Sequence, residues 1–289
     1  MKQLIILLLI LAILPLACKD TKSNGEHTDT IQSLENKATE FSINDFSDSF
    51  KGVWLPKEYV QSLIETMSAY ISSKFIPDIA ELQINPIKIS GDTLEVNSSL
   101  RNHEGYAFKI WFTNQSLQSN VRDWENGEYT SQWQYSTKQD TSLSLIKRDK
   151  TGKIVNTIEF VRVSGGDRLS EFDGEGYGYL ANKSILKGDY LVFDKVGHKK
   201  WSVNFDPENK KITGYNFNFY QLQTDFGVGP EYKGDMLILS QTLDDYQGSE
   251  SFAFKVKKDT IQLWSTREDT IDFTLKEKDL VFEMVKKKN

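Results

Sequence analysis

The chain carries three histidines, His27, His103 and His198, and they are its only imidazole bases. His27 lies in a hydrophilic N-terminal stretch. His103 sits in Arg101-Asn102-His103-Glu104-Gly105 and His198 in Val196-Gly197-His198-Lys199-Lys200, both of turn-like composition, where an exposed His is the expected reading. No Gly-x-Ser-x-Gly elbow, His-Glu-x-x-His pair or phosphate-binding Gly-x-x-x-x-Gly-Lys-Ser/Thr loop is present. Asp167, Glu171, Asp173 and Glu175 cluster in the Gly-rich segment 165–178. Their oxygens could hold calcium or form a glycosidase pair, but the spacing is not that of an EF-hand, and a solvated acidic loop is favoured. The single Cys excludes a disulfide framework and a Cys-based zinc site. These residues assign no catalytic group, metal ligand or cofactor, and the chain is expected not to be an enzyme.

The aromatic side chains carry more information. There are 6 Trp, 12 Tyr and 17 Phe, many at alternating positions of β-like segments. Tyr106, Phe108, Trp111, Trp133, Tyr135, Trp201, Phe217 and Phe219 are the candidates to line a barrel cavity or, facing outward, a sugar-stacking platform. Core and cross-strand filling is the competing structural use of the same residues.

The 289 residues include 38% hydrophobic and 26% charged positions, an ordinary globular composition. Thirty-five basic against 41 acidic residues give a net charge of −6, which argues against a general nucleic-acid binder.

At the N-terminus Met1-Lys2-Gln3 precedes an unbroken apolar run from Leu4 to Leu14, followed by Pro15-Leu16-Ala17-Cys18. The run is too short to span a bilayer and has the length of a signal-peptide core. Ala17-Cys18 resembles the end of a bacterial lipoprotein signal, and Lys19-Asp20 is similar to the export tag of surface lipoproteins in Bacteroidetes-type bacteria. The resemblance implies removal of 1–17 and an outer-membrane lipoprotein, periplasmic or surface-facing. Acyl chains such as palmitate on Cys18 would hold it to the membrane. Residues 18–45 read as a polar tether.

The folded part is expected over 46–289, with a possible subdivision near 164–167. Tyr59, Leu63, Met67 and Ile71 at i, i+4 spacing predict one amphipathic helix over 57–73. After Pro77 the pattern is strands. Ile87–Val96 reads as a pair about Gly91-Asp92, and Tyr106, Phe108, Ile110 and Phe112 share a face. Asp149–Gly152, Lys258-Asp259 and Lys278-Asp279 read as turns. A Gly/Lys-Asp-Thr/Tyr phrase at Gly91, Gly188 and Lys258 reads as turn chemistry, since it has no fixed period. Strands every 8–12 residues predict a mainly β, antiparallel barrel of many strands, or alternatively two stacked β units.

Phe50-Lys51-Gly52-Val53-Trp54 resembles the Gly-x-Trp signature of lipocalins and the wider calycin barrels. The resemblance implies that Trp54 plugs the base of a barrel beneath a cation from near the last strand, with Arg267 as the candidate. Thr224-Asp225-Phe226 or Asp244-Asp245-Tyr246 would stand for the family's Thr-Asp-Tyr turn. Trp54 thereby joins the candidate ligand-binding residues. The expected function is a membrane-anchored envelope lipoprotein binding a small hydrophobic or amphipathic ligand. The alternative is a non-enzymatic interaction module for glycan or an envelope protein. No nucleic-acid partner is expected, and no protein partner is indicated.

Overall fold

The computed structural model describes residues 41–122, 127, 129–137, 141–164, 175–226, 232–243, 248–269 and 274–288. The signal segment, Cys18, His27, Asp167, Glu171, Asp173, Asp244–Tyr246, Ile271 and Phe273 lie outside them.

The chain folds as two antiparallel β units in series. The first holds α1 (Ile43–Phe50), β1 (Gly52–Pro56), α2 (Lys57–Thr66), α3 (Ala69–Ser72), β2 (Ile79–Ile84), β3 (Ile89–Ser90), β4 (Thr93–Leu100), β5 (Glu104–Thr113), β6 (Ser116–Ser119), β7 (Thr130–Ser136), β8 (Ser142–Arg148) and β9 (Ile154–Ser164). The second opens with α4 (Gly176–Ala181), which continues as a π-helical turn over Asn182–Leu186. It then runs through β10 (Gly188–Asp194), β11 (Lys200–Asp206), β12 (Lys211–Thr213), β13 (Phe219–Leu222), β14 (Asp235–Ser240), β15 (Glu250–Lys257), β16 (Thr260–Asp269) and β17 (Thr274–Lys286). β10 to β17 close into a barrel, whereas the first sheet runs β6-β5-β4-β2-β1-β9-β8-β7 and is nearly closed. Its two end strands are bridged by the Trp133 indole N–H, which donates to Ser119 Oγ at 3.0 Å. The division into two barrels replaces the single large barrel expected first and selects the alternative of two β units.

Both barrels start the same way. Lys51-Gly52-Val53-Trp54-Leu55 follows α1, and Lys187-Gly188-Asp189-Tyr190-Leu191 follows α4 and its π turn. Gly52 and Gly188 take φ of 136° and 115°, a region closed to most L-residues. Trp54 pairs with Arg162 on β9, and Tyr190 pairs with Lys286 on β17. In each barrel the cation lies over the ring, at 4.9 Å for Arg162 and 5.9 Å for Lys286. The ring's polar atom reaches back to the preceding helix: Trp54 Nε1 donates to Phe50 O and Tyr190 Oη to Ile185 O. Gly188 therefore opens a strand, unlike the turn residues Gly91 and Lys258. The cation over Trp54 is Arg162; Arg267 instead pairs with Lys276 in the second barrel.

The first lumen is packed by α1 and the inward strand residues. Phe46, Phe50 and Trp54 are fully buried among Leu82, Val96, Phe108, Trp133 and Phe160. α1 lies partly in the stretch read as tether. Its Ser42/Asp45 capping box satisfies first-turn donors, and Phe41 stacks on Tyr135 at 5.3 Å, so the fold begins before residue 46. The second lumen is continuous with a core built from α4, Leu55 on the outer side of β1, and Tyr59 and Leu63 of α2. The helix expected over 57–73 is two helices. Met67 is left-handed at φ 52°, and Ser68 starts a new helix by accepting from the Ile71 N–H. Ile71, assigned to the buried stripe, is 48% exposed. Lys278-Asp279 lies inside β17 rather than in a turn; Asp279 N–H donates to Ser265 Oγ across to β16.

Candidate functional site

The packed lumens separate the aromatic candidates. Trp54, Tyr106, Phe108, Trp133 and Tyr135 belong to the core of the first barrel, and Trp201 and Phe217 to that of the second. They cannot line one common cavity. Trp111 alternates with inward Ile110 and Phe112 on β5, and Phe219 with inward Tyr220 and Leu222 on β13. Both therefore stand on outer faces. His103 and His198 lie in connections of different barrels, and Glu175 forms an ion pair with Lys210 at the start of α4.

A groove of about 420 Å³ opens where the end of the first barrel meets the second. Lys147 continues the inward row of Leu143 and Leu145 on β8 and faces Asn156 of β9 across the sheet. The chain enters β2 through Ile76-Pro77-Asp78, and β4 turns into β5 at Arg101-Asn102. Arg101 and Asn102 are both left-handed, at φ 48° and 57°, in the three-residue connection between Leu100 and Glu104, where the His103 N–H donates to Leu100 O at 2.9 Å. Arg is a costly choice at such a position, and Asp78 offsets that cost. Its carbonyl accepts the Arg101 backbone N–H at 3.1 Å, and its Oδ1 accepts Arg101 Nε at 2.8 Å. Asn102 Nδ2 is tied to Thr224 O of the second barrel at 3.0 Å, and His103 Nδ1 lies 2.8 Å from Asp225 Oδ2. The Asp225 carboxylate raises the His103 pKa by stabilising the imidazolium.

Asp78 is 8% exposed, and its Oδ2 accepts no hydrogen bond. That oxygen is 3.9 Å from Lys147 Nζ, and the Lys147 side chain is only 8% exposed. The Arg101 side chain is 66% exposed. One buried carboxylate thus positions a buried ammonium and a solvent-facing guanidinium. Ile76, Pro77, Ile158 and Phe226 add an apolar wall, and Lys74 adds a further cation. A second hollow of about 440 Å³ shares Lys74, Ile76, Pro77, Asn156 and Ile158 with the first and extends along α2 to Lys57 and Gln61. The arrangement can hold an anionic group against Arg101 with an apolar body along the Ile158 wall. Asp78, Arg101 and Lys147 come from three distant segments and form no motif, so sequence spacing gave no signal for them.

A further buried carboxyl group, Glu81, lies on the outer wall of the first barrel at 1% exposure. Its Oε1 accepts Gln83 Nε2 at 2.8 Å and its Oε2 accepts the Gly176 N–H at 2.9 Å, so it caps α4. Burial pushes its pKa up to about 7. The Tyr177 hydroxyl donates to Ala80 O at 2.6 Å beside it, which ties α4 further to β2.

Comparison with protein-family models, curated proteins and solved structures gives no match to this chain.

Proposed function

We propose that the protein is a non-enzymatic envelope lipoprotein, anchored through acyl chains on Cys18. Its lipocalin-like first barrel would hold a small amphipathic ligand at its mouth. The observation that carries this reading is the Arg101 guanidinium, clamped by buried Asp78 next to Lys147 and facing a groove with an apolar wall. The ligand's anionic group meets Arg101 and Lys74, and its apolar part lies on Ile76, Ile158 and Phe226. The lumen itself is occupied by α1 and the aromatic stack around Trp133, which favours binding at the rim over binding in the interior.

Native mass spectrometry on residues 40–289 purified without detergent tests the reading. A discrete extra mass that leaves on denaturation, and is lost in Arg101→Ala, is expected. An apo mass in both proteins counts against it. Metabolic labelling with an alkyne fatty acid tests the anchor: label should enter the full chain and disappear in Cys18→Ala.

A further inference from the structure

In the first barrel β1 stops short of its neighbour β9. It pairs with β9 only as far as Pro56 opposite Phe160 and then turns aside as α2, while β9 extends to Ile154. Asn156, Thr157 and Ile158 therefore pair with β8 alone, and among the described residues nothing bonds to their backbone from the other side. The hollow of about 440 Å³ occupies the place that a longer β1 would fill. Asn156 to Glu159 form one side of it, Phe75, Ile76 and Pro77 face them from the approach to β2, and Lys57 and Gln61 of α2 close it. We propose that this slot binds a segment of a partner protein in extended conformation, which adds to the edge of β9 as a strand.

The backbone carries the proposal. Pro56 has no N–H, so the bonds between β1 and β9 run through Leu55 and Val161 rather than through Pro56 and Phe160. By the two-residue period of a strand, Thr157 turns its N–H and C=O to the same side, into the slot, and Thr157 is exposed. Backbone groups presented in this way are matched by another extended chain. The side chains around the slot define that chain further. One row of its side chains lies beside Asn156 and Ile158 and the other beside Thr157 and Glu159, so alternating apolar and polar residues fit. Lys57 is neutralised by Glu159. Exposed Lys74 lies over the Phe75 ring at 4.9 Å and makes no ion pair among the described residues, so an acidic residue in the bound segment complements it. A second copy of the chain does not fit, because the β9 edge is recessed between α2 and residues 75–77 and two recessed edges cannot meet. The slot shares Ile76 and Ile158 with the groove at Arg101 but not Arg101 itself, so this inference goes beyond the amphipathic-ligand reading and the two stand or fall separately.

The test is fluorescence anisotropy of the full chain with the labelled peptide Thr-Val-Glu-Val-Thr-Val-Thr and with two analogues of it, N-methylated at the odd or at the even amides. The unmodified peptide is expected to bind. One analogue should bind like it and the other at least about tenfold more weakly, since only alternate amides face β9. Thr157→Ala keeps the backbone and should bind like the parent protein, whereas Thr157→Pro removes the N–H and should weaken binding about tenfold. Pro is tolerated where the N–H points away from the ladder, so thermal unfolding of Thr157→Pro should stay close to that of the parent. Should that variant fail to fold, the two N-methyl analogues decide the question on the parent protein. Arg101→Ala should leave the peptide's affinity unchanged. The proposal is overturned if the peptide does not bind, if the two analogues bind alike, or if Arg101→Ala weakens binding as much as Thr157→Pro. It is also overturned if sedimentation shows the full chain self-associating and Thr157→Pro monomeric, which would make a second copy the occupant.

Discussion

Arg162 faces Trp54 across β9 and β1, its guanidinium 4.9 Å from the ring and hydrogen-bonded to Ser49 O at the end of α1. One side chain therefore joins the last strand, the first strand and the helix that plugs the lumen. Removing it with Arg162→Ala loses the cation–π contact and a charged hydrogen bond, together about 1–3 kcal/mol. Lys286 over Tyr190 is the equivalent; both cations are exposed, but Lys286 lies 5.9 Å from its ring rather than 4.9 Å, so Lys286→Ala should cost well under 1 kcal/mol. Urea unfolding of the two variants, followed by Trp fluorescence, checks the difference. Equal losses would contradict it.

The alternation of apolar residues made the strands legible. The shared face of Tyr106, Phe108, Ile110 and Phe112 and the Asp149–Gly152 hairpin are both found in place. The division into two barrels was less legible because closure is non-local. β10 meets β17, and β1 meets β9, across roughly a hundred residues of chain, which local patterns do not encode. One signal was present: the paired phrases Lys51-Gly52-Val53-Trp54-Leu55 and Lys187-Gly188-Asp189-Tyr190-Leu191 mark the start of each barrel. α1 was hidden by polar composition, since only Ile43, Phe46 and Phe50 show its apolar face. Asp78, Arg101 and Lys147 meet only through the tertiary fold, so the candidate groove had no sequence signature.

Lys147 lies close to the buried carboxylate of Asp78, whose Oδ2 accepts no hydrogen bond. Lys147→Met keeps the aliphatic stem and removes the charge. Arg101 still holds Oδ1, but the carboxylate loses one of its two compensating cations. The expected loss is roughly 1–3 kcal/mol. The double variant Asp78→Asn/Lys147→Met should recover part of it, because no buried charge is left uncompensated; Arg101, which loses its carboxylate partner, is solvent-exposed. Denaturant midpoints of the single and double variants measure the coupling, and a double variant less stable than the single would refute the pairing.

Gly52 has a left-handed φ of 136°, and a Cβ placed on it would lie 2.3 Å from Ser164 O. Gly52→Ala must therefore push β1 away from β9 beside Trp54. The expected cost exceeds the 1 kcal/mol or so of a simple glycine replacement. Gly105→Ala, in open space, is the control and should be neutral or slightly stabilising. A Gly52→Ala protein as stable as that control would show that the β1–β9 junction yields easily.

Glu81 gives the interface between the barrels a pH dependence of known sign. Burial raises its folded-state pKa from 4.5 to about 7, so the folded protein binds this proton more tightly than the unfolded chain does. Its contribution is fully present below about pH 4.5 and is lost as pH rises through 7, when a buried carboxylate must ionise in place. The loss is on the order of 2–3 kcal/mol. The ionised form still accepts from Gly176 N–H and Gln83 Nε2, with Glu175 as the nearby repelling charge. Glu81→Gln keeps an oxygen to cap α4 and cannot ionise. Its stability relative to the parent should be near zero or slightly negative at pH 5 and should become favourable by pH 8. Paired urea titrations at the two pH values decide it: a difference that stays constant between them would mean that Glu81 titrates at its ordinary value.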